Sequence, residues 1–314
     1  MNQDKIIVVM GGTSTEAEVS RRTGKSILDA LLSKGYNAEG MEFVPQTFAA
    51  DISKTGCALV FNAMHGKYGE DGMLQGTLDM LEIPYTGSGV LAAAVTMDKA
   101  ASKRVFIAEG ISTPRAHIYR VHELERDLAG EIMQEFGLPV VIKAASQGSS
   151  VGVYIVENES ELQEALTDAF AYSGEVLVEE FIKGRELTVA VWGDAAEQEA
   201  FPIIEITTVS GRYDYASKYT VGASQHIIPA PLSEEKTREI QKLAEKTFRV
   251  CGCEGVARVD MMLSADETPY VIEVNSVPGM TETSLVPDAG RAMGIEFPEL
   301  CEHMLEMAGF DIGK

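Results

Sequence analysis

Gly255-Val-Ala-Arg-Val-Asp-Met-Met-Leu263 and Thr268-Pro-Tyr-Val-Ile-Glu-Val-Asn275 read as the two strands of a hairpin, dense in Val, Ile, Met and Tyr and separated by the turn-like Ala265-Asp266-Glu267. A turn centred on Asp266-Glu267 makes Asp260 face Glu273 and Arg258 face Asn275. Like charges directly opposite each other destabilise a sheet. A divalent cation between them relieves the conflict, because Mg²⁺ takes hard oxygen donors, usually together with substrate phosphates. Alternation along a strand puts Asp260 on the face of Arg258, and Glu273 on the face of Asn275. One surface then carries an Asp, a Glu, an Asn and an Arg, a set suited to phosphoryl chemistry. The same spacing also suits a hairpin whose polar face meets only water, and it leaves both readings open.

Upstream, the first hundred residues alternate strand and helix signals: Ile6 to Met10, a helical pattern from Val19 to Lys34, Ala58 to Asn62, and a second helix from Leu74 to Leu81. Such alternation implies a parallel, right-handed, doubly wound sheet, whose ligands sit at the carboxyl ends of its strands. Gly11 to Ser20 and Ala63 to Gly72 follow strands directly and occupy that position. Thr86-Gly-Ser-Gly-Val-Leu-Ala92 imitates a dinucleotide fingerprint, but it follows only the brief Ile83-Pro-Tyr85 and equally fits a tight turn into a helix. From residue 97 the character changes: a helix from Asp98 to Glu109, strands at Val140 to Lys143, Gly152 to Val156 and Val176 to Phe181, and a helix from Glu159 to Ala171 with Ser160 at its start. Gly148-Ser-Ser-Val-Gly152 follows a strand ending on Lys143, so backbone N–H groups, hydroxyls and an ammonium are available to an anion, if the loop is not simply a flexible turn. From Glu186 onward strands mix with helices at Glu234 to Val250 and Phe297 to Ala308. Three parts are therefore expected: 1–96, 97–185 and 186–314.

At 314 residues the chain is long enough for two or three domains, and 45% hydrophobic with 24% charged residues is ordinary globular composition. A net charge of −22 argues against nonspecific binding of nucleic acid or of an anionic membrane. Cys57, Cys251, Cys253 and Cys301 form no C-x-x-C pair and read as reduced, mostly buried thiols. Neither a signal-peptide core nor a membrane span is seen, which fits a cytoplasmic enzyme.

Taken in order, Gly11-Gly-Thr-Ser-x-Glu-x-Glu-Val-Ser20, His65-Gly, Gly69-Glu-Asp-Gly72, Tyr85-Thr-Gly-Ser-Gly89, Met97-Asp-Lys99, Gly148-Ser-Ser-Val-Gly152, Tyr213-Asp-Tyr215, Lys218-Tyr219, Arg258-Val-Asp260 and Glu273-Val-Asn-Ser-Val-Pro-Gly-Met-Thr281 resemble the D-alanine:D-alanine ligases of the ATP-grasp superfamily over nearly the whole chain. The resemblance implies an α/β fold class, with a Rossmann-like N-terminal domain followed by a two-part ATP-grasp α+β fold. It implies that ATP phosphorylates the carboxylate of one D-alanine, that the amine of a second attacks the acyl phosphate, and that the product is a peptidoglycan precursor. Two Mg²⁺ (or Mn²⁺) ions are implied on Asp260, Glu273 and Asn275, with Arg258 stabilising the tetrahedral intermediate. Lys99 and Lys143 resemble phosphate contacts, and Glu179, Phe181 and Ile182 resemble adenine contacts, although Phe181 also fits as a core aromatic. Glu186 resembles the ribose ligand, and Lys218 reaches the γ-phosphate from a lid over about 210–225. Glu16 resembles the anchor for the first substrate's ammonium, bonded with Ser149 and Tyr219. His65 lies near that substrate in the family, whereas alone it would more often be structural. Gly279, Ser284 and Leu285 resemble the pocket for the second D-alanine's carboxylate. Homodimers are common among these ligases.

This chain departs from its relatives at Ala144-Ala-Ser-Gln147, where proline and a charged pair are frequent, and at Tyr215-Ala-Ser-Lys218, where serine replaces a frequent glutamate. Rivals are a D-alanine:D-lactate ligase, which Tyr219 rather than phenylalanine argues against, and a binding module without turnover, for which the metal ligands, lysines and Arg258 are superfluous.

Overall fold

The computed structural model describes residues 4–148, 151–208, 224–281 and 284–310. It opens with β1 (Ile6–Met10), α1 (Ala17–Ser33), β2 (Ala38–Glu42), α2 (Phe48–Thr55) and β3 (Leu59–Asn62), and β1 pairs in parallel with β2 on one side and β3 on the other. The unbroken apolar runs of β1 and β3 are those of strands covered on both faces. β2 and α2 have no counterpart in the sequence reading. β2 is an edge strand whose side chains are mostly exposed, so its pattern is weak and the free edge of β1 orders it.

α3 (Met73–Met80) and α4 (Val90–Met97) follow, and between them Tyr85 makes a parallel bridge to Val60. The Thr86 to Ala92 stretch is the turn into α4. Gly87 has φ 91°, and a Cβ on Gly255 would lie 2.9 Å from its Cα, so the two glycines let backbone meet backbone there. That contact accounts for the glycines without a dinucleotide.

α5 (Lys99–Ala108) begins on Asp98, whose carboxylate accepts the Ala101 N–H. Beyond it β4 (Ala116–Arg120), α6 (Leu128–Glu135), β5 (Val140–Ala144), β6 (Val153–Val156), α7 (Glu159–Tyr172) and β7 (Glu175–Glu180) build an antiparallel sheet of order β4-β7-β5-β6 with its own apolar core. Asn158, not Ser160, precedes the first turn of α7.

The last part contains β8 (Gly184–Gly193), β9 (Gln198–Ala200), β10 (Ile204–Thr208), β11 (Ser224–Ile227), α8 (Glu234–Val250), β12 (Gly255–Ser264), β13 (Pro269–Asn275), α9 (Leu285–Ala292) and α10 (Phe297–Met307). Its antiparallel sheet runs β11-β10-β8-β12-β13, with β9 on β8. Ser224 and Gln225, the end of the expected lid, pair with Thr208 and Thr207 as part of β11, while residues 209–223 lie outside the described ones.

β12 and β13 form the expected hairpin, and Arg258 faces Asn275 and Asp260 faces Glu273 as read. Nearer the turn the pairing is displaced: Met261 faces Val271 and Leu263 faces Pro269. The loop is the three-residue Ala265-Asp266-Glu267, closed by Ser264 N–H to the Thr268 carbonyl at 3.0 Å, with Glu267 at φ 60°. Ile272 is an extra residue opposite the Asp260/Met261 step, and this bulge restores the register. A turn centre placed slightly too far along and an unforeseen bulge cancel, so the polar face is the expected one.

Ile6, Val8, Ile27 and Leu31 share one apolar cluster with Val286, Leu300 and Leu305. The first and last parts are therefore joined by continuous core. None of the described helices is long and apolar enough to cross a membrane.

Candidate active site

The loop after β1, the loop after β3, the segment after β5 and the polar face of β12 and β13 surround one cavity of about 490 Å³. Glu16 enters it from the N-terminus of α1, where the helix dipole favours an anion. Its carboxylate is packed so closely that a Cβ on Gly66 or on Gly148 would lie 2.5 Å or 2.7 Å from Oε2. Two loops far apart in sequence thus meet on one carboxylate. His65 is buried beside it, with Nε2 2.9 Å from the Thr23 hydroxyl and Nδ1 3.3 Å from Glu70. It both lines the cavity and is held as a structural histidine would be.

Across the cavity, Asp260 gathers four donors. Arg258 gives Nε and Nη2 at 2.8 Å each, Asn275 gives its amide at 2.9 Å, and the Thr188 hydroxyl donates at 2.6 Å. Glu273 takes Lys99 at 3.2 Å, while the same ammonium donates to the Gln147 carbonyl at 2.7 Å. The repulsion expected between the facing acids is thus met in this structure by cations of the protein itself. Among the described residues no group of three His, Cys, Asp or Glu surrounds a metal position. Two carboxylates and an amide oxygen nevertheless fit Mg²⁺ as it is usually held, with substrate oxygens completing the shell.

At the far end, the Ser284 hydroxyl accepts the Thr281 N–H at 3.1 Å and lies 2.8 Å from the Thr281 hydroxyl, at the start of α9. Gly279 and Leu285 line the same end, and Asp288 holds His226 at 2.6 Å. A hydroxyl beside a helix N-terminus receives a carboxylate without a full positive charge.

Lys143 and Glu179 come together as a second cluster. Lys143 Nζ is 2.5 Å from Glu179 Oε2, Glu179 is only 1% exposed, and neither residue lines the cavity described above. Lys103, absent from the sequence reading, lies 2.6 Å from the other oxygen. Burial alone would push the Glu179 carboxyl up, but Lys143 and Lys103 outweigh it and hold it below its ordinary value. The one signal for Lys103 was its place four residues after Lys99, one helical turn along the same face. Phe181, Ile182 and Glu186 are partly exposed at and beyond the end of β7. Ser149, Lys218 and Tyr219 lie outside the described residues.

Two family models match the chain, "D-ala D-ala ligase N-terminus" over residues 37–88 and "D-ala D-ala ligase C-terminus" over 108–306. The D-alanine–D-alanine ligase of Desulforudis audaxviator is 48% identical over 306 residues, which are 97% of this chain and 98% of that protein. The chain belongs to the D-alanine–D-alanine ligase family.

Another D-alanine–D-alanine ligase, from Pelotomaculum thermopropionicum, is 46% identical over 97% of this chain and 96% of its own. Solved structures agree: the ligase of Bacillus anthracis complexed with ATP matches with TM-score 0.84 at 33% identity, covering 97% of both chains. VanG D-Ala:D-Ser ligase from Enterococcus faecalis matches with TM-score 0.82 at 28% identity over 98% of this chain and all of its own. The fold of this chain is thus closely similar to that of ligases named for different substrates.

Proposed function

We infer that this protein joins two D-alanines into D-alanyl-D-alanine through an acyl phosphate made with ATP, as a step of cell-wall precursor synthesis. What carries the inference is that an anionic end, Glu16, and a face of Arg258, Glu273 and Asn275 open on one cavity in a chain of this family. Glu16 holds the first D-alanine by its ammonium, together with Ser149 and Tyr219, and His65 borders that substrate. Its carboxylate attacks the γ-phosphorus of ATP, whose phosphates are drawn by Lys99, Lys143 and Lys218, and ADP leaves. Phe181 and Ile182 flank adenine with Glu179 beneath them, and Glu186 takes the ribose. Two Mg²⁺ or Mn²⁺ ions on Asp260, Glu273 and Asn275 supply neutralisation of phosphate charge when bound. Lys99 and Arg258 now sit on Glu273 and Asp260, so the cations that turn to phosphate and to the developing oxyanion are already at the reaction centre. The second D-alanine offers its carboxylate to Ser284, Gly279 and Leu285. Its amine attacks the acyl carbon, and phosphate departs.

A cytoplasmic homodimer belongs to this reading. The exposed Met80 and Leu91 side chains on α3 and α4 support an apolar face for pairing, and sedimentation velocity checks it. The activity is tested by offering ATP and Mg²⁺ with D-alanine, L-alanine, D-serine and D-lactate together and separating the products by mass. D-Alanyl-D-alanine is expected, with one ADP and one phosphate per dipeptide. A mixed dipeptide or a D-lactate ester as main product would reassign the acceptor, and ATP turnover that ignores D-alanine would remove the reading.

A further inference from the structure

Glu179 has one carboxylate and two lysines. Lys143 reaches Oε2 at 2.5 Å from the neighbouring strand β5, and Lys103 reaches Oε1 at 2.6 Å from α5. A buried carboxylate needs one cation for neutrality, and a second buried ammonium is costly unless its charge serves something. Lys103 itself is only 2% exposed, and its remaining hydrogens are used within the protein, at Thr113 Oγ1 (2.5 Å) and the Pro114 carbonyl (2.9 Å). The Thr113 hydroxyl in turn donates to the Val271 carbonyl of β13 at 2.8 Å. Lys103 is therefore held from three sides, by two hydrogen bonds and by its ion pair with Glu179. Lys143 is the more exposed of the two, at 8%.

We propose that Lys103 is a positioning residue for the nucleotide: as a second, fixed counter-ion of Glu179, it leaves the Lys143–Glu179–Lys103 cluster with one net positive charge, available through Lys143 to the phosphates of ATP. Were Lys103 absent, Lys143 and Glu179 would remain as a neutral pair, and the field at the phosphates would lose one positive charge. The proposal rests on the reading that Lys143 faces the nucleotide. It goes beyond that reading in giving the second lysine an electrostatic task that a packing role does not require.

The test measures binding of ATP and of adenosine to the full-length protein without D-alanine, by calorimetry, so that turnover does not enter. Lys103→Met is expected to weaken ATP by about tenfold, on the order of one charge lost at a partly screened site, and adenosine by less than about twofold. Lys103→Met combined with Glu179→Gln is expected to return the ratio of ATP to adenosine affinity to within about threefold of the original, because removing the acid gives the cluster one net positive charge again while any change at adenine cancels in the ratio. A packing role predicts equal losses for ATP and adenosine and no rescue, and either result overturns the proposal. If Lys103→Met alone does not fold, Glu179→Gln is compared with the double variant, which again differs by the one charge of Lys103. ATP binding about tenfold weaker in the double variant, with adenosine nearly unchanged, supports the proposal, and equal ATP affinities sink it. Lys143→Met separates the two levels: if ATP binding ignores that change, the reading of Lys143 fails and takes the proposal with it. If Lys143→Met weakens ATP while Lys103→Met does not, only the role of Lys103 fails.

Discussion

Asp260 is where single-residue chemistry and stability meet. Its carboxylate is the acceptor for Arg258, Asn275 and Thr188, so it fastens β8, β12 and β13 besides being a proposed metal ligand. Asp260→Asn turns one acceptor oxygen into a donor facing other donors. The variant is expected to lose about 1 to 3 kcal/mol of stability, the usual range for an unmet buried partner. Turnover should fall further, by about 100-fold or more, because a carboxylate that would hold a metal cation against the developing phosphate charge is gone. Chemical denaturation and steady-state rates on one preparation separate the two effects. Near-normal Mg²⁺-dependent rates would exclude Asp260 from the reaction centre. Other single residues are quieter: Cys251, Cys253 and Cys301 are buried free thiols, and burial pushes Cys251 up to about 12, so it carries almost no thiolate at neutral pH.

Among the elements, the β12–β13 hairpin transmits the most to the site, and its bulge is the critical detail. Because side chains alternate with a period of two, a shift of one residue moves a strand's whole set to the opposite face. Ile272 is the extra residue that puts Glu273 opposite Asp260. Deleting Ile272 is therefore expected to remove the bulge while leaving Glu273 opposite Asp260 and Asn275 opposite Arg258, so that ATP-dependent ligation is retained and far-UV circular dichroism stays close to that of the parent. Loss of ligation in a folded deletion variant would mean that the facing register alone does not set the site. Among the elements that sequence reasoning passed over, β2 keeps most of its side chains exposed, and α2, β4, α6 and α9 are short, of five to eight residues each, whereas α7 starts at Glu159 as read, with Asn158 rather than Ser160 before its first turn. Long periodic elements were legible: α8 spans Glu234–Val250 and β1 spans Ile6–Met10, as their patterns indicated.

At the scale of the whole molecule, the first and last parts are clasped where Tyr36 donates to Glu302 at 2.8 Å and Lys34 pairs with the same carboxylate at 2.7 Å. Burial, then the bond to Glu302, pushes the Tyr36 phenol above its ordinary value. The folded state keeps that proton after the unfolded chain has released it, so this contribution is complete below about pH 10 and declines as pH rises further. Tyr36→Phe is expected to remove about 1 to 2 kcal/mol at neutral pH and to flatten the alkaline decline, with turnover nearly unchanged. Melting curves from pH 7 to 11 check the slope, and an unaltered profile would show that the phenol carries no linkage. The sequence by itself determined the α/β class, the motif blocks and their family, and the acid-amide-guanidinium face of the hairpin, because these rest on local periodicity and on residues close in the chain. Only the tertiary structure decided that Gly66 and Gly148 close on Glu16, that Lys99 answers Glu273, and that Lys103 and Lys143 share Glu179. Those contacts join residues tens to hundreds of positions apart, and burial of charge makes them obligatory once the core brings them together, but nothing in local sequence specifies which cation meets which acid.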